Sequence, residues 1–241
     1  MKIIEVEGIV VSNTPYKESS KIINIFTSEY GIIGCISKGC KNLKSKLRLP
    51  SEKFAYGTFH LYYKENGLST LIDGDIKNYF FNIKNDIVKI SYLSYLIELA
   101  VHTYKESENN EVYNLLIDSI LKIEDNLDPR IITNILEVQY LSYLGINLNL
   151  DECVKCGSSK VVTLSMNKGG YVCANCRDNE ELIDEKVLKL LRLYQYVDIS
   201  KISNLDIDEN NSKIISKIID EYYDLYSGFR TKSKKFLKEI D

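Results

Sequence analysis

The sequence predicts a multidomain α+β protein, with an N-terminal five-stranded barrel followed by an α-helical bundle into which a four-cysteine ribbon is inserted. Three observations lead there. Residues Ile3 to about Asp75 read as short β-rich runs separated by turn residues, after Tyr79 the period lengthens to 3.6, and two Cys-x-x-Cys pairs interrupt the helical part. The expected boundaries are 1–79 for the barrel, 80–150 for the first part of the helical domain, 151–178 for the ribbon and 179–241 for the second helical part.

The strands come first. Ile3–Val11 is rich in β-branched residues and is bounded by Ser12-Asn13-Thr14-Pro15, a turn cluster. Lys21–Phe26 and Gly31–Ile36 are apolar runs separated by Ser28-Glu29-Tyr30. Phe54–Tyr63 is aromatic-rich, Glu65-Asn66-Gly67 supplies a hairpin turn, and Leu68–Ile76 returns. Five strands in so short a stretch suggest a small closed antiparallel barrel of OB-fold size, although an SH3-like barrel or a sandwich fits the same spacing.

Beyond Tyr79, Ile83, Ile87, Ile90, Ser94, Ile97 and Val101 fall on one face of a helix, apolar enough to sit centrally in a bundle. Val112–Ile123 makes a second. A third opens at Asp128-Pro129 and closes at Gly145, a proline at the start and a glycine where a C-cap belongs. Residues 184–196, 211–227 and 230–240 read as three more.

Between these helices stand Cys153-Val154-Lys155-Cys156 and Cys173-Ala174-Asn175-Cys176, with 16 residues between the pairs. Each Cys-x-x-Cys turn aims two thiolates at one point, so two turns complete a tetrahedron around one zinc ion. The Asn167-Lys168-Gly169-Gly170 turn fits a hairpin carrying the second pair. Disulfides and a thioredoxin-like redox pair are the competing readings; the first suits an oxidising compartment, and the second does not come in matched pairs. Four thiolates close the coordination sphere, so the zinc is expected to be structural. Of the other cysteines, Cys35 reads as core packing and Cys40 as an incidental loop thiol.

Catalytic signatures are missing from the sequence. His60 and His102 are isolated, no His-x-Glu stands beside the cysteines, and no phosphate-binding glycine loop or GxSxG occurs. Asp73 and Asp75 read as solvated residues at a strand end. The expectation is a protein that is not an enzyme. With no apolar run near the length of a membrane span and no signal-peptide core, it is expected in the cytoplasm.

Binding chemistry remains. The net charge is −3, but residues 1–80 carry 11 basic and 8 acidic side chains, leaving the excess of acid to the helical part. Ser37–Arg48 holds five cations, Lys38, Lys41, Lys44, Lys46 and Arg48, and no acid. On a flexible loop such cations bind phosphates by releasing counterions; the bland alternative is a solvated loop. Aromatics follow at once, and of these Tyr62 or Tyr63 is expected to be exposed, since neighbouring strand residues face opposite ways. Arg230, Lys232, Lys234 and Lys235 form a second basic stretch.

Gly8-Ile9-Val10-Val11, Tyr16-Lys17-Glu18-Ser19 and Ile25-Phe26-Thr27-Ser28-Glu29-Tyr30-Gly31 resemble the N-terminus of the RecO family, as does Lys38-Gly39-Cys40-Lys41 leading to Lys46. Leu144-Gly145-Ile146 with Leu150–Gly157 looks like that family's zinc segment, and Phe229–Leu237 like its closing helix. The pieces span nearly the whole chain in order.

The resemblance implies an OB-fold domain, a helical bundle and an interposed zinc ribbon. It further implies a recombination mediator that binds and anneals single-stranded DNA and works with RecR. Such a mediator helps RecA displace single-strand-binding protein and load at gaps. Some relatives place arginines in the helix that ends in Leu-Gly, whereas this chain reads Asn134-Ile135-Leu136-Glu137 there. Arg130, one turn earlier, is therefore the expected anchor for the acidic C-terminal tail of single-strand-binding protein. A reading from another class keeps the ribbon and bundle as an adaptor that binds only proteins.

Overall fold

The computed structural model describes residues 2–240. Five strands, β1 (Lys2–Tyr16), β2 (Ser20–Thr27), β3 (Gly31–Ser37), β4 (Tyr56–Tyr63) and β5 (Ser69–Asn78), close into a barrel in the order β1-β2-β3-β5-β4. All pairings are antiparallel except a short parallel contact of β3 with β5, at Cys35↔Ser69 and Ile36↔Thr70, which closes the ring. This is the five-stranded OB layout.

Alternation fills the barrel. Ile4, Val6, Val10, Ile23, Ile25, Ile33, Phe59, Leu61 and Leu71 point inward with Cys35, whose thiol burial pushes up to about 12. Its reading as core packing holds. Gly57 is required by close approach of the chains, since a Cβ there would lie 2.1 Å from the Asp75 carbonyl oxygen.

Three strand-region expectations are corrected. Ser12–Pro15 does not end β1: a bulge at Val10–Ser12 lets the strand bend and pair onward to Tyr16↔Ser20. Asp73 and Asp75 sit within β5, paired with β4, and not at a strand end. Cys40 lies in the turn after β3 but is no incidental loop thiol, because it is buried, only 1% exposed.

Seven helices follow: α1 (Phe81–Lys84), α2 (Ile87–Ser107), α3 (Glu111–Glu124), α4 (Pro129–Tyr143), α5 (Glu185–Tyr196), α6 (Glu209–Tyr226) and α7 (Lys232–Ile240). Aspartates cap four of them: Asp86 before α2, Asp128 before α4, Asp184 before α5 and Asp208 before α6 each accept backbone N–H bonds. Gly145 follows α4 at φ +70°, a left-handed conformation that glycine adopts without strain. The expected stripe beginning at Ile83 is broken, because Asp86 starts a new helix. Ile83 belongs to α1, and Ile87 is 68% exposed. The helix at the hub is α4, not α2: nearly every residue from Ile131 to Leu141 is buried, and α4 meets α2, α5 and α6.

The chain forms two compact units. One holds the barrel, α1 and Glu108–Asn114; the other holds Asn85–Ser107 and the chain from Leu115 onward. Within the second, β6 (Val161–Ser165) and β7 (Gly170–Cys173) make the ribbon hairpin between α4 and α5. Tyrosine hydroxyls hold this ribbon against the helices: Tyr171 donates to the Leu188 carbonyl at 2.5 Å and Tyr226 to that of Met166 at 3.0 Å. No described helix is long and apolar enough to cross a membrane.

Candidate functional site

The ribbon brings Cys153, Cys156, Cys173 and Cys176 together, their sulfur atoms all within 4.8 Å of one another. Cys156 Sγ and Cys173 Sγ lie 3.7 Å apart. Four sulfurs at about 2.3 Å from a tetrahedral zinc stand roughly 3.8 Å from each other, so the donor set fits that ion. Local backbone chemistry builds the knuckles: the Gly157 N–H donates to the Cys153 carbonyl, and those of Cys176 and Arg177 to the Cys173 carbonyl. Burial works against a Cys153 thiolate, yet hydrogen bonding from the backbone at Cys173, Lys155 and Cys156 outweighs it and lowers this thiol to about 6. Cys176 is instead pushed up to about 12, first by the neighbouring Cys156 and Cys173. Four thiolates this close repel one another, and a divalent cation among them removes that penalty.

The basic segment between β3 and β4 is tethered at both ends. Its start is pinned by the Lys41 N–H donating to the Ser19 carbonyl and by buried Cys40. Its end is pinned by Leu47, packed on the barrel core, and by buried Ser51, whose hydroxyl reaches Ser37 Oγ and the Leu47 carbonyl, each at 2.7 Å. The five cations therefore divide. Lys46 is bound to Asp73 at 2.6 Å, holding that carboxyl below its ordinary range, and Lys41 donates to the Lys17 carbonyl at 3.3 Å. Lys38, Lys44 and Arg48 are exposed and form no ion pair among the described residues. Of the aromatics, Phe54, Tyr56 and Phe59 are buried, Tyr62 is 43% exposed, and Tyr63 packs on the end of the core.

In the helical unit, Arg130 is half-buried and faces Glu209 at 3.9 Å. It borders a groove of about 780 Å³ that also carries Lys213, Lys217, Arg230, Lys234 and Lys238, beside apolar Tyr92, Leu225 and Leu237. Asp220, Glu221 and Asp224 line it as well. Lys217 and Arg230 form no ion pair among the described residues. Sequence reasoning missed this convergence, because the cations come from α4, α6 and the final segment.

It also missed the polar centre beneath. Glu137, 1% exposed, accepts from Tyr95 Oη at 2.5 Å and from Lys234 Nζ at 2.8 Å, and Lys234 also reaches Asp220 at 2.7 Å. Burial raises the Glu137 pKa, offset in part by Lys234. Burial alone would lower Lys234, but Glu137 and Asp220 outweigh it and raise its pKa. Lys234 thus joins α7 to α4 and α6, and the second basic stretch is not a row of free cations.

A barrel of OB topology joined in one chain to a helical bundle with a four-cysteine ribbon defines a class of small multidomain α+β proteins. Residues 1–80 match the family described as "Recombination protein O N terminal", and residues 84–235 match "Recombination protein O C terminal". The chain belongs to the RecO family. It is 35% identical over 240 residues to the DNA repair protein RecO of Halalkalibacterium halodurans, covering 98% of this chain and 94% of that one. The Listeria innocua protein of the same name matches to the same extent, and that of Bacillus pumilus is 35% identical over 244 residues.

Proposed function

We propose that this RecO-family DNA repair protein is a recombination mediator that binds and anneals single-stranded DNA and, with RecR, helps load RecA at gaps. It acts without catalysing a reaction of its own, in the cytoplasm at the nucleoid. The observation that carries the reading is the acid-free cationic segment Lys38–Arg48, displayed on an OB barrel in a chain that matches this family over residues 1–80 and 84–235. Lysines there act as point charges, so binding is tolerant of sequence.

One zinc ion, held by Cys153, Cys156, Cys173 and Cys176, contributes folding energy to the ribbon and takes no part in DNA chemistry. The groove beside Arg130 receives the acidic, apolar-ended tail of single-strand-binding protein. Cations beside apolar Tyr92, Leu225 and Leu237 suit such a peptide, and this is what supports the assignment. RecA is engaged indirectly. The test is annealing of complementary labelled oligonucleotides by the purified protein, with and without RecR. Acceleration over the spontaneous rate is expected; protein that neither binds nor anneals single strands refutes the reading.

A further inference from the structure

A second cation–aromatic cluster lies where the β2–β3 turn meets the start of β1 and the end of β4. Register places it there. Lys2 pairs with Tyr63 where β1 and β4 begin and end together, and the β2–β3 turn brings Tyr30 alongside. The Tyr30 and Tyr63 rings touch with centroids 5.3 Å apart and planes tilted by 50°. Lys2 Nζ stands 5.5 Å from the first ring centre and 5.9 Å from the second. With Lys64 and Glu65 these residues line a shallow basin of about 850 Å³. Lys2 and Lys64 form no ion pair among the described residues.

The platform is preorganised. Thr27 Oγ1 donates to the Gly31 carbonyl at 2.8 Å and accepts from the Tyr30 N–H at 3.0 Å, so one side chain clamps the turn that carries Tyr30. Tyr63 is held from below by the barrel core. Yet Tyr30 remains 36% exposed, and no hydroxyl hydrogen bond of either tyrosine is present among the described residues. Two rings in mutual contact make a surface, not a slot, and a ligand must therefore stack from outside. Two tilted rings with the Lys2 ammonium over them and Lys64 and Glu65 beside them suit a base with its phosphate, the base stacking on a ring and the ammonium meeting the phosphate.

We propose that Tyr30, Tyr63 and Lys2 form a base-stacking platform for single-stranded nucleic acid, a second contact point on the strand held by Lys38–Arg48. This rests on the single-strand-binding reading above. The segment leaves the barrel where Lys21 pairs with Ser37, whereas the platform lies past Thr27 at the other end of the eight-residue β2. At about 3.3 Å per residue the Tyr30 turn is roughly 20 Å from Ser37, where the segment starts, a span within the 4–16 nucleotides that one OB fold covers.

The chain has no tryptophan, so Tyr30→Trp introduces a single reporter. Its fluorescence is expected to be quenched on titration with a thymidine 20-mer. Tyr30→Ala and Tyr63→Ala should weaken binding, read by anisotropy of the labelled oligonucleotide, by about five- to a hundred-fold, with an unchanged salt slope. Tyr30→Phe, which keeps the ring face, should bind like the wild type. If the wild type binds but the Tyr30→Trp signal does not change and both alanine variants retain full affinity, the platform is refuted and the parent reading stands. If the wild type binds no oligonucleotide, both fall.

Discussion

Replacing Lys38, Lys44 and Arg48 together by glutamine should flatten the salt dependence of single-strand binding. These three are chosen because Lys46 is committed to Asp73 at 2.6 Å and Lys41 to the Lys17 carbonyl at 3.3 Å. At roughly 0.7 per phosphate contact, three lost contacts lower the slope of log K against log salt by about two. Raising salt fourfold should then weaken the wild type by about 20-fold more than the variant. Folding should be untouched, since all three side chains are exposed and such substitutions cost less than about 0.5 kcal/mol. Asp73→Asn supplies the opposite perturbation: it frees Lys46 from an exposed pair worth at most about 1 kcal/mol, so affinity should rise by no more than about fivefold. The assay is anisotropy of a labelled oligonucleotide at several salt concentrations. A triple variant with wild-type slope and affinity would show that this segment is only solvated.

Four further outcomes are expected. Metal analysis should find one zinc per chain. A strong chelator or Cys153→Ser should lower the melting temperature, and full stability without metal would refute a structural zinc. Lys234→Met should destabilise by about 3 kcal/mol, because it strands Glu137 in the core, and adding Glu137→Gln should recover most of that loss in urea unfolding; equal stability of the single variant and the wild type would refute the latch. Since the folded-state pKa of Lys234 is raised above 10.5, its contribution is fully present below pH 10.5 and lost as pH climbs through the raised value, a decline that Lys234→Met should not share. In the groove, Arg230→Ala and Lys217→Ala should weaken an acidic tail peptide at least as much as Arg130→Ala, which already faces Glu209; unchanged affinity in all three, measured by calorimetry, would place the peptide elsewhere.

What the sequence determined by itself was local. A Cys-x-x-Cys turn needs only four residues to aim two sulfurs, so both knuckles were legible. Asp128-Pro129 and Gly145 mark the ends of α4 within a turn of each end, and period-2 alternation marked which faces of the strands fill the barrel. Interactions between residues far apart in sequence left no such trace. Neither the continuation of β1 through Pro15 nor the burial of Cys40 can be read from composition, because both depend on what packs opposite. The pairing of Lys46 with Asp73 joins residues 27 apart, and that of Lys234 with Glu137 joins residues 97 apart. Sequence showed the basic stretches as rows of equal cations. Tertiary structure decided which were neutralised by a carboxylate and which faced water, because a charge's availability depends on its spatial neighbours and not on its place in the chain.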